Sequence, residues 1–116
     1  MMAIILHITQ ESEWLAAVST GFYRADSLQT EGFIHCSTVE QVLGPANAMF
    51  HGQDGLVLLA IDPEQVGAPI VYEDCYESGQ EFPHIYGPLE IEAVTAVISF
   101  PPQDDGSFFL PKVLEP

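Results

Sequence analysis

Basic side chains are nearly absent from this sequence of 116 residues, which has only Arg24 and Lys112 against 17 acidic residues. The formal net charge at pH 7 is −15. Because a field of this sign repels phosphate backbones, it excludes a nucleic-acid interface built on a basic patch. An anionic ligand would have to be held by backbone amides, helix ends, hydroxyls or histidines.

Cysteines and long apolar runs are also scarce. Cys36 and Cys75 make no dense disulfide framework, and the closely paired ligands of a zinc motif are absent, so no metal is predicted. Glycine-rich phosphate loops are absent too. The apolar run at residues 3–6 is too short for a signal segment, and no stretch approaches the roughly 20 apolar residues of a membrane span. We expect a cytoplasmic protein without a membrane partner, and the oligomeric state stays open.

Apolar residues, by contrast, make up 47% of the chain, which is enough to fill one core. The sequence predicts a single α+β domain over residues 1–116, with five to six or more strands and two main helices in the N-terminal half. Residues 101–116 are expected to form a loosely packed tail. Short apolar runs and period-two patterns predict strands at residues 3–8, 33–36, 56–61, 70–72, 85–89 and 91–100.

Helix signals occur at two places. Residues 11–20 have an apolar face at helical spacing before Gly21, and Thr38 with Gln41 forms a capping box that predicts a helix starting at Thr38. A kink or break is expected at Gly44-Pro45. Residues 22–31 are predicted to form a loop with one helical turn capped by Ser27, and residues 74–81 an exposed loop.

Three of the four histidines, His7, His35 and His84, lie in or beside predicted strands, and we expect them to converge on one cleft. Imidazole shares protons near neutral pH and can donate to a ribose or phosphate oxygen. After His35, the hydroxyls of Ser37 and Thr38 and the amides of the predicted helix start suit a phosphate or a ribose. The alternative is structural, because capping alone explains Thr38.

A second motif, Phe82 to Leu89, places His84 and Tyr86 between two prolines. A rigid loop that lines a pocket and a purely structural corner both fit this pattern.

Residues 31–38 and 82–89, together with His7-Ile8 and residues 23–28, resemble a bacterial family known as domain of unknown function 952. The resemblance implies the ADP-ribosylation fold, a split and strongly bent sheet that grips NAD in related toxins. In that superfamily a first-strand His and a nearby Thr hold the ribose, and His7 and Thr9 are similar to that element. The third element, usually a Glu that stabilises the ribosyl cation, has no clear match, and Glu73 and Glu81 are the nearest carboxylates.

The sequence therefore predicts a small-ligand-binding domain with an ADP-ribosyltransferase-like cleft, for NAD or a related ribonucleoside compound; no other cofactor is indicated. Two alternatives stay open: an NAD-dependent ADP-ribosyl or phosphate transferase, and a protein-interaction domain without a small-molecule site. The candidate catalytic residues are His35, His84 and Glu73. The candidate ligand-binding residues are His7, Thr9, Ser27, Ser37, Thr38 and Tyr86.

Overall fold

The computed structural model describes residues 3–75 and 77–115, so residue 76 of the predicted loop and residues 1–2 and 116 of the predicted domain lie outside it. The strands are β1 (Ile5–Gln10), β2 (Phe22–Tyr23), β3 (Ile34–His35), β4 (Leu56–Ile61), β5 (Ile70–Glu73), β6 (Phe82–Ile85), β7 (Leu89–Glu90) and β8 (Val94–Ser99). The helices are α1 (Glu11–Val18), α2 (Asp26–Thr30) and α3 (Leu43–Met49). The predicted α+β class is confirmed.

The strands form three small antiparallel sheets, where the resemblance implies one split sheet. Their strand orders are β1-β4-β8, β2-β7 and β3-β6-β5. An isolated bridge connects the first and third of these sheets: the amides of Leu6 and Ser37 each donate to the other's carbonyl, at 2.7 and 2.8 Å. This bridge holds the segment that follows β3 against β1.

Strand β4 is buried along its whole length. Since successive side chains of a strand point to opposite faces, β4 contributes to two apolar clusters. Leu59 and Ile61 join the cluster that contains Trp14 and Ile85, whereas Leu58 joins the cluster on the other face. Burial on both faces explains why residues 56–61 are continuously apolar and do not alternate with polar residues.

The C-terminal segment packs against the second cluster through the buried Phe108 and the partly buried Leu110 and Leu114. Phe108 is 1% exposed, and its ring stacks on Phe100 at 4.7 Å between centroids. Its backbone amide donates to Asn47 Oδ1 at 2.7 Å. Phe109 and Val113 of the same segment are exposed. The segment is therefore anchored at Phe108, although Phe109 and Val113 face solvent.

Helix α3 begins at Leu43, so the predicted start at Thr38 is wrong. Gln41 Oε1 does accept from the Thr38 amide at 3.1 Å, as in half of a capping box, but residues 39–42 form only a turn. Pro45 explains the later start, because proline has no N–H to donate and fits a helix only within the first turn. With α3 starting at Leu43, Pro45 occupies that turn and no kink follows.

Three further local predictions are wrong. Ser27 does not cap α2: the N-cap is Ala25, and the Ser27 hydroxyl donates to the Phe33 carbonyl at 2.7 Å. Strand β6 begins at Phe82, not at residue 85, and Pro83 lies inside this central strand. Residues 91–93, predicted as strand, form a short 3-10 turn before β8.

Among the described residues, no helix is long and apolar enough to cross a membrane.

Candidate functional site

The register of β3 and β6 brings two of the predicted site residues together. His35 lies directly opposite His84 in this antiparallel pair, and their imidazole centroids are 5.3 Å apart at an interplanar angle of 77°. Two of the three histidines that were expected to converge on one cleft are therefore adjacent, and their role in binding stays a prediction.

Phe33 packs at the centre of this group. Its ring stacks on His84 at 4.1 Å and 16°, meets the edge of His35 at 4.8 Å, and contacts Tyr86 at 5.2 Å. The turn before it needs Gly32, whose φ of +93° strains any residue with a side chain. We call Phe33, His35, Glu73, His84 and Tyr86 the histidine cluster.

Glu73 is the carboxylate of the histidine cluster. Its Oε2 accepts from His84 Nδ1 at 2.8 Å and from the Tyr86 hydroxyl. The hydrogen bond from Tyr86, followed by that from His84, lowers the pKa of the Glu73 carboxyl below its ordinary value. The same carboxylate raises the pKa of Tyr86 to about 12. At neutral pH the site therefore holds an ionised carboxylate next to a protonated phenol.

The side chains of the histidine cluster differ in their solvent exposure. The His84 side chain is 1% exposed, whereas Glu73 is 28% and His35 is 33% exposed. His35 Nε2 lies 3.0 Å from Glu31 Oε2, four residues earlier in the chain. Since an ion pair this exposed adds little stability, the His35 side chain can exchange that partner for a ligand. The solvent-facing members are thus His35, Glu73 and Tyr86.

His7 lies beneath the cluster in a buried hydrogen-bond network. Its Nδ1 donates to the His35 carbonyl at 2.6 Å, so Nε2 accepts from the Tyr23 hydroxyl at 2.9 Å. The Tyr23 oxygen also lies 2.9 Å from Thr9 Oγ1. Burial lowers the pKa of His7 to about 4, so the ring is neutral at pH 7. Both ring nitrogens are occupied, and His7 supports the backbone of His35 from below.

Tyr23→Phe should lower the free energy of unfolding by about 1 to 3 kcal/mol, because Nε2 of the buried His7 would lose its donor. Tyr72→Phe is the matched control: Tyr72 is 49% exposed, and the expected change is within about 0.5 kcal/mol. Urea denaturation of both variants measures the difference. Equal losses would show that the Tyr23 hydroxyl contributes nothing specific.

The remaining predicted ligand residues are Ser27, which precedes β3 in the chain, and Ser37 and Thr38, which follow it. The amide of Ser37 donates to the Leu6 carbonyl, and that of Thr38 donates to Gln41 Oε1. Since α3 starts only at Leu43, no helix terminus presents free amides at Ser37 and Thr38. Ligand contact through their hydroxyls stays a prediction, as does a ligand role for Ser27.

Three residues near the cluster were missed by sequence reasoning. Cys75 is exposed, and its Sγ lies 3.8 Å from His84 Nδ1. Glu31 contacts His35, and Tyr23 holds His7. Only Glu31 leaves a signal in the sequence, namely the i, i+4 spacing to His35. Cys36, the other cysteine, is buried, and burial raises the pKa of its thiol.

A surface depression of about 440 Å³ lies elsewhere, beside the C-terminal segment. Its lining includes Gln103, Asp104 and Phe109, and none of the predicted site residues. This depression is therefore separate from the histidine cluster.

The chain matches the family described as "Protein of unknown function (DUF952)" over residues 8–97. It is also similar to the crystal structure of protein CC0527 from Caulobacter crescentus, with 35% identity and a TM-score of 0.85 over 96% of this chain and 97% of that one. A double mutant of CC0527 gives the same values. The solution NMR structure of CC0527 shows 36% identity and a TM-score of 0.78 over 91% of each chain. No curated protein matches significantly.

Proposed function

The chain belongs to the DUF952 family of proteins of unknown function, and we propose that it binds a small ribonucleoside compound at the histidine cluster. NAD and its breakdown products are the first candidates. The observation that carries the proposal is Glu73, a partly exposed carboxylate held in place by Tyr86 and His84. A carboxylate whose position is fixed by hydrogen bonds from the protein is preorganised to accept further hydrogen bonds from the hydroxyl groups of a ligand.

The charge of the site indicates which ligand charges it favours. Glu31 and Glu73 are acceptors, and the chain has only two basic residues. A ribose supplies hydroxyl donors to such a site, and the nicotinamide ring, which is positively charged when it is bonded to ribose, is attracted to it. Each added phosphate is repelled. We therefore expect neutral, cationic or weakly anionic ribonucleosides to bind more tightly than polyphosphates.

Each accessible member of the histidine cluster has a role in this proposal. Tyr86 is 38% exposed, and its ring offers a surface on which a base can stack. Glu73 accepts from the ribose hydroxyls, and His35 donates to or accepts from the same sugar. His7 and Thr9 act indirectly, because their contacts to His35 and Tyr23 fix the backbone from which His35 projects.

A relation of the histidine cluster to the NAD-binding cleft of the ADP-ribosylation fold is part of the proposal. It is supported by the motif resemblance of residues 7–9 and 33–38 and by the contact between those two segments. Glu73 favours ADP-ribosyl transfer from NAD as a second candidate function. An ionised carboxylate beside the bound ribose would stabilise the cation that develops as nicotinamide leaves. Release of nicotinamide from NAD, absent in Glu73→Gln, is the measurement that tests this activity.

A thermal-shift screen tests ligand binding. A ligand at about one hundred times its dissociation constant stabilises the folded state by roughly 2.7 kcal/mol, which should raise the melting temperature of this domain by about 10 °C. The compounds are nicotinamide riboside, adenosine, NAD, ADP-ribose and nicotinamide. If all of them at millimolar levels leave the melting temperature within about 1 °C, the ribonucleoside proposal is wrong.

Two histidine variants locate the binding site. His35→Ala should abolish the shift while changing the free energy of unfolding by about 1 kcal/mol or less, because its side chain is partly exposed. His51→Ala is the control, since His51 is exposed and lies outside the histidine cluster. A shift that survives in His35→Ala would place the ligand elsewhere.

A further inference from the structure

We infer that Glu73, Cys75 and His84 form a binding site for one divalent transition-metal ion of the zinc class. The inference shares two residues with the proposed ligand site but requires no organic ligand. It also differs from a sequence-based zinc motif, because the three donors come from β5, the segment after it and β6. The antiparallel pairing of β5 with β6 brings them together.

The donor atoms have nearly the separations that a metal needs. One ligand atom from each of the three residues lies within 4.8 Å of the others, and Cys75 Sγ is 3.8 Å from His84 Nδ1. Tetrahedral zinc, with Zn–S near 2.3 Å and Zn–N near 2.0–2.1 Å, sets that separation at about 3.5 Å. A shift of a few tenths of an ångström in the exposed Cys75 closes the gap. Thiolate, imidazole and carboxylate are also the donor types that zinc prefers.

Charge favours a cation here. Glu73 and Asp74 directly precede Cys75, and the whole chain has only two basic residues against 17 acidic ones, so the sulfur lies in a negative potential. That potential opposes a free thiolate and attracts a divalent ion. The two anionic ligands, Glu73 and the thiolate of Cys75, would neutralise the ion's double charge. The surroundings that make Cys75 a poor nucleophile thus suit metal binding.

Binding requires two changes of proton position. Cys75 releases its thiol proton to solvent, and His84 gives its Nδ1 lone pair to the ion while the ring proton moves to Nε2. Among the described residues Nε2 is buried without a hydrogen-bond partner, so the proton displaces no contact there. The change of tautomer breaks the hydrogen bond from His84 Nδ1 to Glu73 Oε2, and the ion, bound to both atoms, takes its place. Phe33, stacked on the imidazole, holds the ring in its plane while the proton moves. Water completes the tetrahedron, since only three ligands come from the protein.

Cobalt titration of the full chain, metal-free and reduced, tests the site. Co²⁺ bound through Cys75 gives a thiolate-to-metal charge-transfer band in the near ultraviolet, together with the strong visible bands of tetrahedral cobalt. We expect saturation at one Co²⁺ per chain and loss of both signals when Zn²⁺ is added. No charge-transfer band at saturating Co²⁺ would overturn the inference.

Paired variants show which residues bind the ion. Cys75→Ser should remove the charge-transfer band, whereas Cys36→Ala should keep it. Glu73→Gln should weaken Co²⁺ binding by on the order of 10- to 100-fold, and Glu64→Gln, which changes an exposed carboxylate outside the site, should leave it unchanged. Circular dichroism verifies that each variant is folded. A band that persists in Cys75→Ser contradicts the assignment.

The titration contains no nucleoside, and the thermal-shift screen is run with a chelator. Cobalt binding without any nucleoside shift would reject the proposed ligand and keep the metal. A nucleoside shift without cobalt binding would do the reverse.

Discussion

Leu59→Ala should lower the free energy of unfolding by about 2 to 5 kcal/mol. Leu59 is fully buried at the centre of β4, the middle strand of its sheet. It packs in the cluster that contains Trp14, Ile34 and Ile85. Truncation removes apolar contacts and leaves a cavity that this strand, hydrogen bonded on both sides, cannot collapse to fill. Urea or guanidinium midpoints measure the loss.

Val97→Ala is the matched control. Val97 lies opposite Leu59 in the β4–β8 pair but is 42% exposed. The same class of change should therefore lower stability by about 1 kcal/mol or less, mainly through strand propensity. Similar losses in the two variants would mean that β8 is covered on that face or that β4 is less buried than the structure has it.

Acidification should destabilise the protein through His7. The ordinary pKa of histidine is 6.5, and burial lowers that of His7 to about 4 in the folded state. Between these values the unfolded chain binds a proton that the folded chain rejects, so stability falls as pH decreases from 6.5 towards 4. Each pKa unit corresponds to 1.36 kcal/mol, so the full effect is about 3 kcal/mol. Above pH 6.5 His7 is neutral in both states and contributes no pH dependence.

The His7→Gln variant isolates this effect from the carboxylates, which titrate in the same range in both proteins. Glutamine can donate to the His35 carbonyl and accept from Tyr23, yet it does not titrate. The difference in free energy of unfolding between wild type and variant should therefore change by about 3 kcal/mol between pH 7 and pH 4. Parallel stability curves for the two proteins would show that folding does not lower the pKa of His7.

Much of the secondary structure follows from the sequence because local patterns coincide with burial. The apolar run at residues 56–61 predicts the buried strand β4, and the helical spacing after Gln10 predicts α1, which begins at Glu11. Local rules failed where two signals competed. The sequence predicts a strand only from residue 85, yet β6 includes Pro83, whose carbonyl still accepts from the Cys36 amide at 3.0 Å. At Thr38 the capping signal was present, but Pro45 shifted the helix start to Leu43.

The sequence by itself determined the α+β class, the acidic composition and the two segments that supply all of the histidine cluster except Glu73, because composition and periodicity are properties of neighbouring residues. Only the tertiary structure decided how those residues divide into exposed and buried groups. Antiparallel register placed His35 opposite His84 and brought Glu73 and Cys75 to the same imidazole. The packing of β1 against β4 buried His7 in a network with Tyr23. Such contacts join residues far apart in the chain, and no local pattern encodes which strands pair or in what register.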